Sequence, residues 1–342
     1  MSALHGVIAI DKPEGATSHD VVQFVRWALR EKSVGHCGTL DPMATGLLVV
    51  CVGEATKLAN VLHAADKRYT ATVKLGEATD TGDAEGKVIA RAKVDDELRA
   101  RAAAAAIALR GTLMLAPPAF SAIKERGIAA YVRARLGERV ELAPRPMTIH
   151  DVKLLGHSEY RGHRVSVELF VGKGTYVRSW AVALGEAIGV PAHLHSLRRI
   201  ASGPLHVDHV RTVHGLEVIA THEGHSGKPR ARFELRGAIE RDEAAARLRA
   251  AMVGPIHALP AEWLRALAPD PERFERLCQG LPQWATNVGV PADATAESAA
   301  VLEPSGDRLV LVRLEPEPEG LRAVPTRLLR LAGPPAAPGS EA

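Results

Sequence analysis

A chain of 342 residues with 46% hydrophobic and 24% charged residues has the composition of an ordinary globular protein, long enough for two or three domains. No stretch approaches the roughly 20 apolar residues of a membrane span. The start MSALHGVIAIDKPEG lacks the basic and apolar regions of a signal peptide. The three scattered cysteines Cys37, Cys51 and Cys278 are too few for a disulfide framework or a zinc site, which predicts a reducing, cytoplasmic setting. The net charge of +3 is unevenly spread: residues 1–215 carry 28 Lys+Arg against 22 Asp+Glu, residues 216–342 carry 15 against 18. The first part is therefore the place to look for a polyanionic partner.

In chain order, Gly6–Ile10 is a short β-branched apolar run that predicts a buried strand, ended by the turn-like DKPEG. Thr17 or Ser18 can cap the next segment, where Val21, Val22, Phe24, Val25, Ala28 and Leu29 recur at helical spacing. A glycine-rich loop follows, then a core strand over Leu47–Gly53, a helix over Glu54–Ala64 and a strand over Tyr69–Leu75. ATDTGDAEG is a polar loop whose acids Asp80, Asp83 and Glu85 lack the spacing of a calcium site. Residues 95–110 form an Ala-rich helix by propensity. Residues 121–146 hold six basic side chains against three acids, which suits an arm contacting phosphates; a solvated helix face is the plainer alternative. Val165–Val171 alternates as a strand and runs into GKGTYVRS, where Tyr176 and Arg178 share a face if the strand resumes before a helix begins. GKGT does not meet the spacing of a Walker loop, and His193 and His195 lack companions for a metal site. After about residue 216 the chain is charged and helical near 240–252. It then becomes a series of short apolar runs, such as RLVLVRL and TRLLRLAG, that predict a small β-rich module.

The loop GHCGTLDPMATGLL, Gly35–Leu48, stands out. Asp41 is the one acid in it, and Pro42 biases that residue toward an extended backbone. Gly35, Gly38 and Gly46 allow tight turns or close approaches. A carboxylate in such a loop suits a nucleophile or general base, but equally an Asx turn bonding its own backbone. Tyr69, Tyr176 and Arg178 lie in the other marked segments. With Asp41 they would make a coherent nucleobase site, an aromatic ring stacking on a flipped base while an arginine orients the carboxylate.

These blocks resemble the bacterial TruB-type tRNA pseudouridine synthases. The resemblance runs through DKPEGATSHDVV, GHCGTLDPMATGLL, GEATK, DKRYTATVKLGEATDTGDAEG, SAIKERGIAAYVRAR and KGTYVRS with LRR, roughly residues 6–212 in the family's order. It implies an α+β pseudouridine synthase fold, with a central mixed, mainly antiparallel sheet flanked by helices and a small C-terminal PUA-like β module. The implied organisation is a catalytic domain over 1–215 with an RNA-binding insertion at about 116–146, a charged connecting segment over 216–251, a PUA-like domain over 252–333 and a disordered tail over 334–342. The implied activity is isomerisation of uridine 55 in the T loop of tRNA, by base flipping and aspartate attack, without metal or organic cofactor. In that scheme Asp41 is the nucleophile, Tyr69 stacks on the uracil, Arg178 pairs with Asp41, Tyr176 lines the pocket and His36 holds the T loop open. Lys57 and Leu197 are secondary pocket residues. Lys124, Arg126, Arg133, Arg135 and Arg145 belong to the insertion that closes on the T stem-loop, a feature of stand-alone enzymes. The implied partner is tRNA, bound by a cytoplasmic monomer with no membrane or protein partner.

The chain departs from the family at GLLVVCVG, which lacks the proline common after the second leucine, and at Cys37, which replaces a small or hydroxyl residue. Cys37 is either a reactive thiol beside the site or a packed filler, the usual fate of free cysteine. Two other classes of function fit less well. A tRNA chaperone on the same scaffold needs none of Asp41, Tyr69 and Arg178. An aspartyl-nucleophile phosphatase needs a second Asp where this chain has Met43.

Overall fold

A computed structural model describes residues 4–331, except 122, 126, 139, 157–162, 210, 224–228 and 238–239. Its centre is a sheet of nine strands, seven of which form a continuous path: β1 (Gly6–Lys12), β2 (Thr45–Val52), β3 (Lys67–Leu75), β4 (Gly111–Leu115), β5 (Arg145–Leu154), β6 (Arg164–Val171) and β7 (Ala192–Ser202). Their spatial order is β1-β2-β7-β3-β6-β5-β4. All these pairings are antiparallel except β2 with β7, where Arg198 and Arg199 register with Thr45 and Gly46. The mixed, mainly antiparallel α+β architecture implied by the resemblance is present. Its single parallel join lies at the exit of the Asp41 loop.

Strand β3 buries every second residue, from Lys67 through Tyr69, Ala71 and Val73 to Leu75, so one face of the central strand looks into the core. That face packs under two helices, α2 (Asp96–Ala108) and α3 (Val177–Ile188), around the fully buried Trp180. The helix α1 (Ser18–Leu29) covers Ile8, Ile10, Leu48 and Val50. Thr17 is its cap, in a reciprocal capping box with Asp20. Ser18 faces inward instead: its hydroxyl donates to the Leu40 carbonyl (3.1 Å) and accepts from the Leu40 amide (2.8 Å).

Three predicted elements differ. The segment read as a helix over 54–64 begins as a 3-10 turn, Gly53–Leu58, and turns α-helical only at Ala59–Ala64. The loop ATDTGDAEG is flanked by a short ladder, Glu77–Thr79 with Val88–Arg91. Residues 216–251, expected as a connecting segment, fold into an antiparallel pair, Leu216–Glu223 with Pro229–Leu235, and a helix, Arg241–Ala251. Leu216, Leu235, Ala244, Ala245 and Leu248 are buried there against α1. These apolar residues are interleaved with charges, which masks them in the sequence.

The C-terminal part is a five-stranded sheet built from Leu264–Leu267, Gln283–Trp284, Ser298–Leu302, Arg308–Glu317 and Gly320–Arg330. Ala300, Leu309, Leu311 and Leu329 share one core with Val7, Leu47, Val49 and Cys51 of the central sheet. No helix among the described residues is long and apolar enough to cross a membrane. The expected disordered tail, 334–342, lies outside the described residues.

Candidate active site

The Asp41 loop is pinned from three sides by buried polar side chains. From the helix side, Ser18 holds Leu40 through both backbone groups. From below, the ammonium of Lys12, fully buried at the end of β1, donates to the carbonyls of Pro13 (2.9 Å), Ala16 (2.7 Å) and Pro42 (3.2 Å). From the sheet, Arg199 donates through Nε to the Leu47 carbonyl (2.6 Å) and through a terminal nitrogen to Gly38 (3.0 Å). Gly46 makes this possible: its φ is +94°, and a Cβ there would stand 2.3 Å from the Arg199 carbonyl oxygen. Gly38, at φ +93°, also needs its freedom, whereas Gly35 has neither a left-handed φ nor a crowding neighbour. The expectation that all three glycines serve the loop holds for two of them.

This frame presents the Asp41 carboxylate to a cleft of about 980 Å³. Arg178, only 5% exposed, places Nε 3.0 Å from Asp41 Oδ2 and a terminal nitrogen 3.4 Å from Asp83 Oδ2. Its other donor capacity goes to the carbonyls of Thr81 (3.1 Å) and Phe120 (2.9 Å). One buried guanidinium is thus shared by two carboxylates and fixed by two carbonyls, an arrangement that orients rather than merely neutralises. Among the described residues Asp41 makes a side-chain ion pair and no Asx turn, so the plainer reading of the loop fails. Burial raises the Asp41 pKa above the usual carboxylate value of 3.8, and the neighbouring Asp83 adds to this, while Arg178 and Lys12 pull it down.

Tyr69 on β3 and Leu197 on β7 are nearly buried in the cleft wall, Tyr176 stands as the N-cap residue of α3, and His36 lies at the end of Val34–His36. Arg178 sits in the first turn of α3, not on a resumed strand, so Tyr176 and Arg178 meet the cleft from a helix start. The His36 Nδ1 atom is buried without a hydrogen-bond partner, and burial lowers the ring's pKa, with Arg199 adding to this. Lys67 lines the same cleft; its ammonium donates to the carbonyls of His63 (2.6 Å) and Ala65, and burial depresses its pKa to about 8.

Lys57 does not line the cleft, contrary to expectation. Its ammonium bonds Glu54 (2.6 Å) and the Leu328 carbonyl (3.3 Å), tying the 3-10 turn to the C-terminal sheet. Within the basic segment, Phe120, Ile123 and Tyr131 line the cleft, while Lys124 and Arg145 are exposed. Arg133 is not a free cation: it bonds Glu138 (2.7 Å) and Glu125 (3.1 Å). Arg126 lies outside the described residues, as does the Arg135 side chain. Cys37 is packed, 1% exposed, with its sulfur 3.3 Å from that of Cys51, which fits the filler reading. His193 is likewise a packing residue, its Nδ1 2.9 Å from the Glu77 carbonyl.

Sequence reasoning missed Asp83, Lys12, Ser18 and Arg199. Asp83 was visible only as one acid in a polar loop; its hydroxyl partner Thr81, 2.6 Å away, was the available sign that its carboxylate is organised. No group of His, Cys, Asp and Glu able to hold a metal occurs among the described residues.

Comparison with known proteins agrees with this geometry. Residues 26–177 match the family described as TruB family pseudouridylate synthase (N terminal domain). Among relatives, the tRNA pseudouridine synthase B of Aromatoleum aromaticum is 47% identical over 217 residues, 63% of this chain and 68% of that one. The tRNA pseudouridine synthase B of Nocardia farcinica is 38% identical over 312 residues, 89% of this chain and 91% of the other. In fold, the chain resembles a protein chain in the crystal structure of a Cbf5-Nop10-Gar1 complex, with a TM-score of 0.61, 22% identity and coverage of 94% and 84% of the two chains. A likeness sustained at 38% identity along nearly the whole of both chains decides the matter: this chain belongs to the TruB family of tRNA pseudouridine synthases.

Proposed function

We propose that this family member converts uridine 55 in the T loop of tRNA to pseudouridine, with the target base flipped into the cleft and attacked by Asp41. The observation that carries the reading is the Asp41 carboxylate in the cleft, held by Arg178 at 3.0 Å, with Tyr69 and Leu197 in the same lining. A flipped uracil needs a flat apolar wall to stack on and a fixed anion below it. Attack of the Asp41 carboxylate on C1′ forms an ester as the N1–C1′ bond breaks; the uracil turns, and its C5 displaces the carboxylate from C1′. The C5 proton leaves to solvent as N1 takes one up, so the uridine is isomerised with nothing consumed and Asp41 is regenerated. Tyr69 stacks on the base and Arg178 holds the nucleophile in line. Tyr176 lines the pocket, and His36, with its unpartnered Nδ1, keeps the loop open.

In the same proposal residues 1–215 act as the catalytic domain and the segment near 116–146 closes on the T stem-loop. Residues 252–333 form a PUA-like module. The enzyme works as a cytoplasmic monomer, with tRNA as its partner and with no cofactor or protein subunit. Incubation with a T stem-loop hairpin and with unrelated uridine-containing RNAs, followed by mapping of pseudouridine, tests it. Product at uridine 55 of the hairpin, and at no other uridine, is expected. Equal modification of unrelated RNAs, or none of the hairpin, would overturn the assignment.

A further inference from the structure

Outside the cleft, a groove of about 690 Å³ lies between α1 and the Leu216–Glu223/Pro229–Leu235 hairpin. Its floor is aromatic. The rings of Phe24 and Phe233 meet edge-on at 5.8 Å, and Trp27 lies 5.8 Å from Phe24. Phe24 is buried, but Trp27 is 54% exposed and offers a large flat ring to the groove. Arg232 on the hairpin is exposed and lines the groove together with Arg241 and the acids Asp20, Glu234 and Glu240; it has no ion-pair partner among the described residues.

Asp20 lines both the groove and the catalytic cleft. The exposed stripe of α1 makes the connection. His19 lies in the cleft, Gln23 is bonded to it at 2.9 Å, and Trp27 is one turn further on. Residues four apart on a helix share a face, so the path from His19 to Trp27 is about 12 Å at 1.5 Å per residue. That is the reach of a short piece of RNA strand leaving the cleft. A flat exposed indole beside an unpaired arginine, on a path from an RNA site, has the chemistry of a stacking platform with a phosphate contact.

We propose that this groove is a second contact surface for the RNA substrate, in which an unstacked nucleobase lies on Trp27 while Arg232 meets a neighbouring phosphate. The hairpin's role is then to build one wall of the RNA path, not to link two domains. This rests on the reading of the cleft as the T-loop site, and wild-type pseudouridine formation tests that reading separately.

The test is equilibrium binding of full-length tRNA to the wild-type protein and to the Trp27→Ala, Trp27→Phe and Arg232→Glu variants, with single-turnover rates at saturating RNA. Trp27→Ala should raise Kd about tenfold, the scale of losing one base–aromatic stack. Trp27→Phe should keep most of the affinity, and the saturated rate should stay at the wild-type value. Arg232→Glu should reduce the slope of log affinity against log salt by about one phosphate contact. Matching thermal melts exclude misfolding as the cause. If wild type is active while Trp27→Ala and Arg232→Glu bind tRNA as wild type does, the groove proposal alone is overturned. Loss of self-association in Trp27→Ala at unchanged RNA affinity would overturn it too, assigning the groove to a second copy of the chain.

Discussion

Two groups of cleft residues use the same kind of side chain differently. Beside Asp41, a buried arginine faces two carboxylates and orients the anion proposed to react. Beside Gly38, Lys67 and the still more deeply buried Arg199 point their donors at backbone carbonyls, holding the loop and the turn before β3 in place. In the proposed reaction the carboxylate group carries the chemistry and the cationic group is framework. Both bury charge at a cost that only complete hydrogen bonding offsets, and the proposal predicts that the two groups fail in different ways.

Short of removing Asp41 itself, the largest effect should come from Arg178→Met. It leaves Asp83 buried and unpaired and frees Asp41 to rotate, so stability should fall by about 3–5 kcal/mol, the usual consequence of breaking a buried pair. The single-turnover rate should fall about a hundredfold, since misplacing a reacting group costs on that order. Chemical denaturation and rapid-quench assays measure the two. A variant that keeps the wild-type rate would detach Arg178 from the reaction.

The frame is probed next by glycine. Gly46→Ala combines a left-handed φ with a Cβ 2.3 Å from a backbone oxygen, and should destabilise by about 2 kcal/mol or more. Gly35→Ala, which meets neither obstacle, should change the melting temperature little. Similar losses at both positions would contradict the distinction drawn between them.

Protonation acts on both groups alike. Burial depresses the pKa values of Lys12 and Lys67 to about 8, from 10.5. Between those values the unfolded chain binds more protons than the folded one, so these groups make stability rise with pH from about 8 to 10.5. Lys67→Met should flatten part of that rise, which a series of denaturation curves at stepped pH would show. An unchanged slope would mean that Lys67 is not the depressed group.

The smallest effect is expected in the basic segment. Lys124→Glu and Arg145→Glu should weaken tRNA binding several-fold and flatten its salt dependence by about one contact each. Arg133→Glu should do less to the slope, because Arg133 is held by Glu125 and Glu138. An equal slope change for all three would return Arg133 to the set of phosphate contacts.

What the sequence disclosed follows from which forces are local. Strand alternation in β3 and helix periodicity in α1 are local patterns, and both elements are where the pattern puts them. The isolated acid in the Asp41 loop is likewise visible, whereas its pairing with Arg178 is what the family resemblance implies and no local pattern records it. Lys12, Ser18 and Arg199 were not legible as loop supports. Their partners are mostly backbone carbonyls brought close by tertiary packing, and no side-chain pattern records a carbonyl. Lys57, placed in the pocket by the resemblance alone, has instead a partner in the Leu328 carbonyl, on a strand 271 residues away in sequence. The hairpin at 216–235 was hidden because its inward residues alternate with charges and a bulge at Val218/Ala220 interrupts the register.

The central claim is that Asp41 does the chemistry and that the rest of the cleft presents a base to it. Its most direct test is tritium release from tRNA labelled at C5 of uridine, measured for wild type and Asp41→Asn alongside tRNA affinity. Burial makes the charge at Asp41 unfavourable on balance, so the amide should fold at least as stably at neutral pH and bind tRNA. The account predicts unchanged affinity with release reduced by at least about a thousandfold, the scale on which loss of a nucleophile is felt. Substantial release by Asp41→Asn would contradict it.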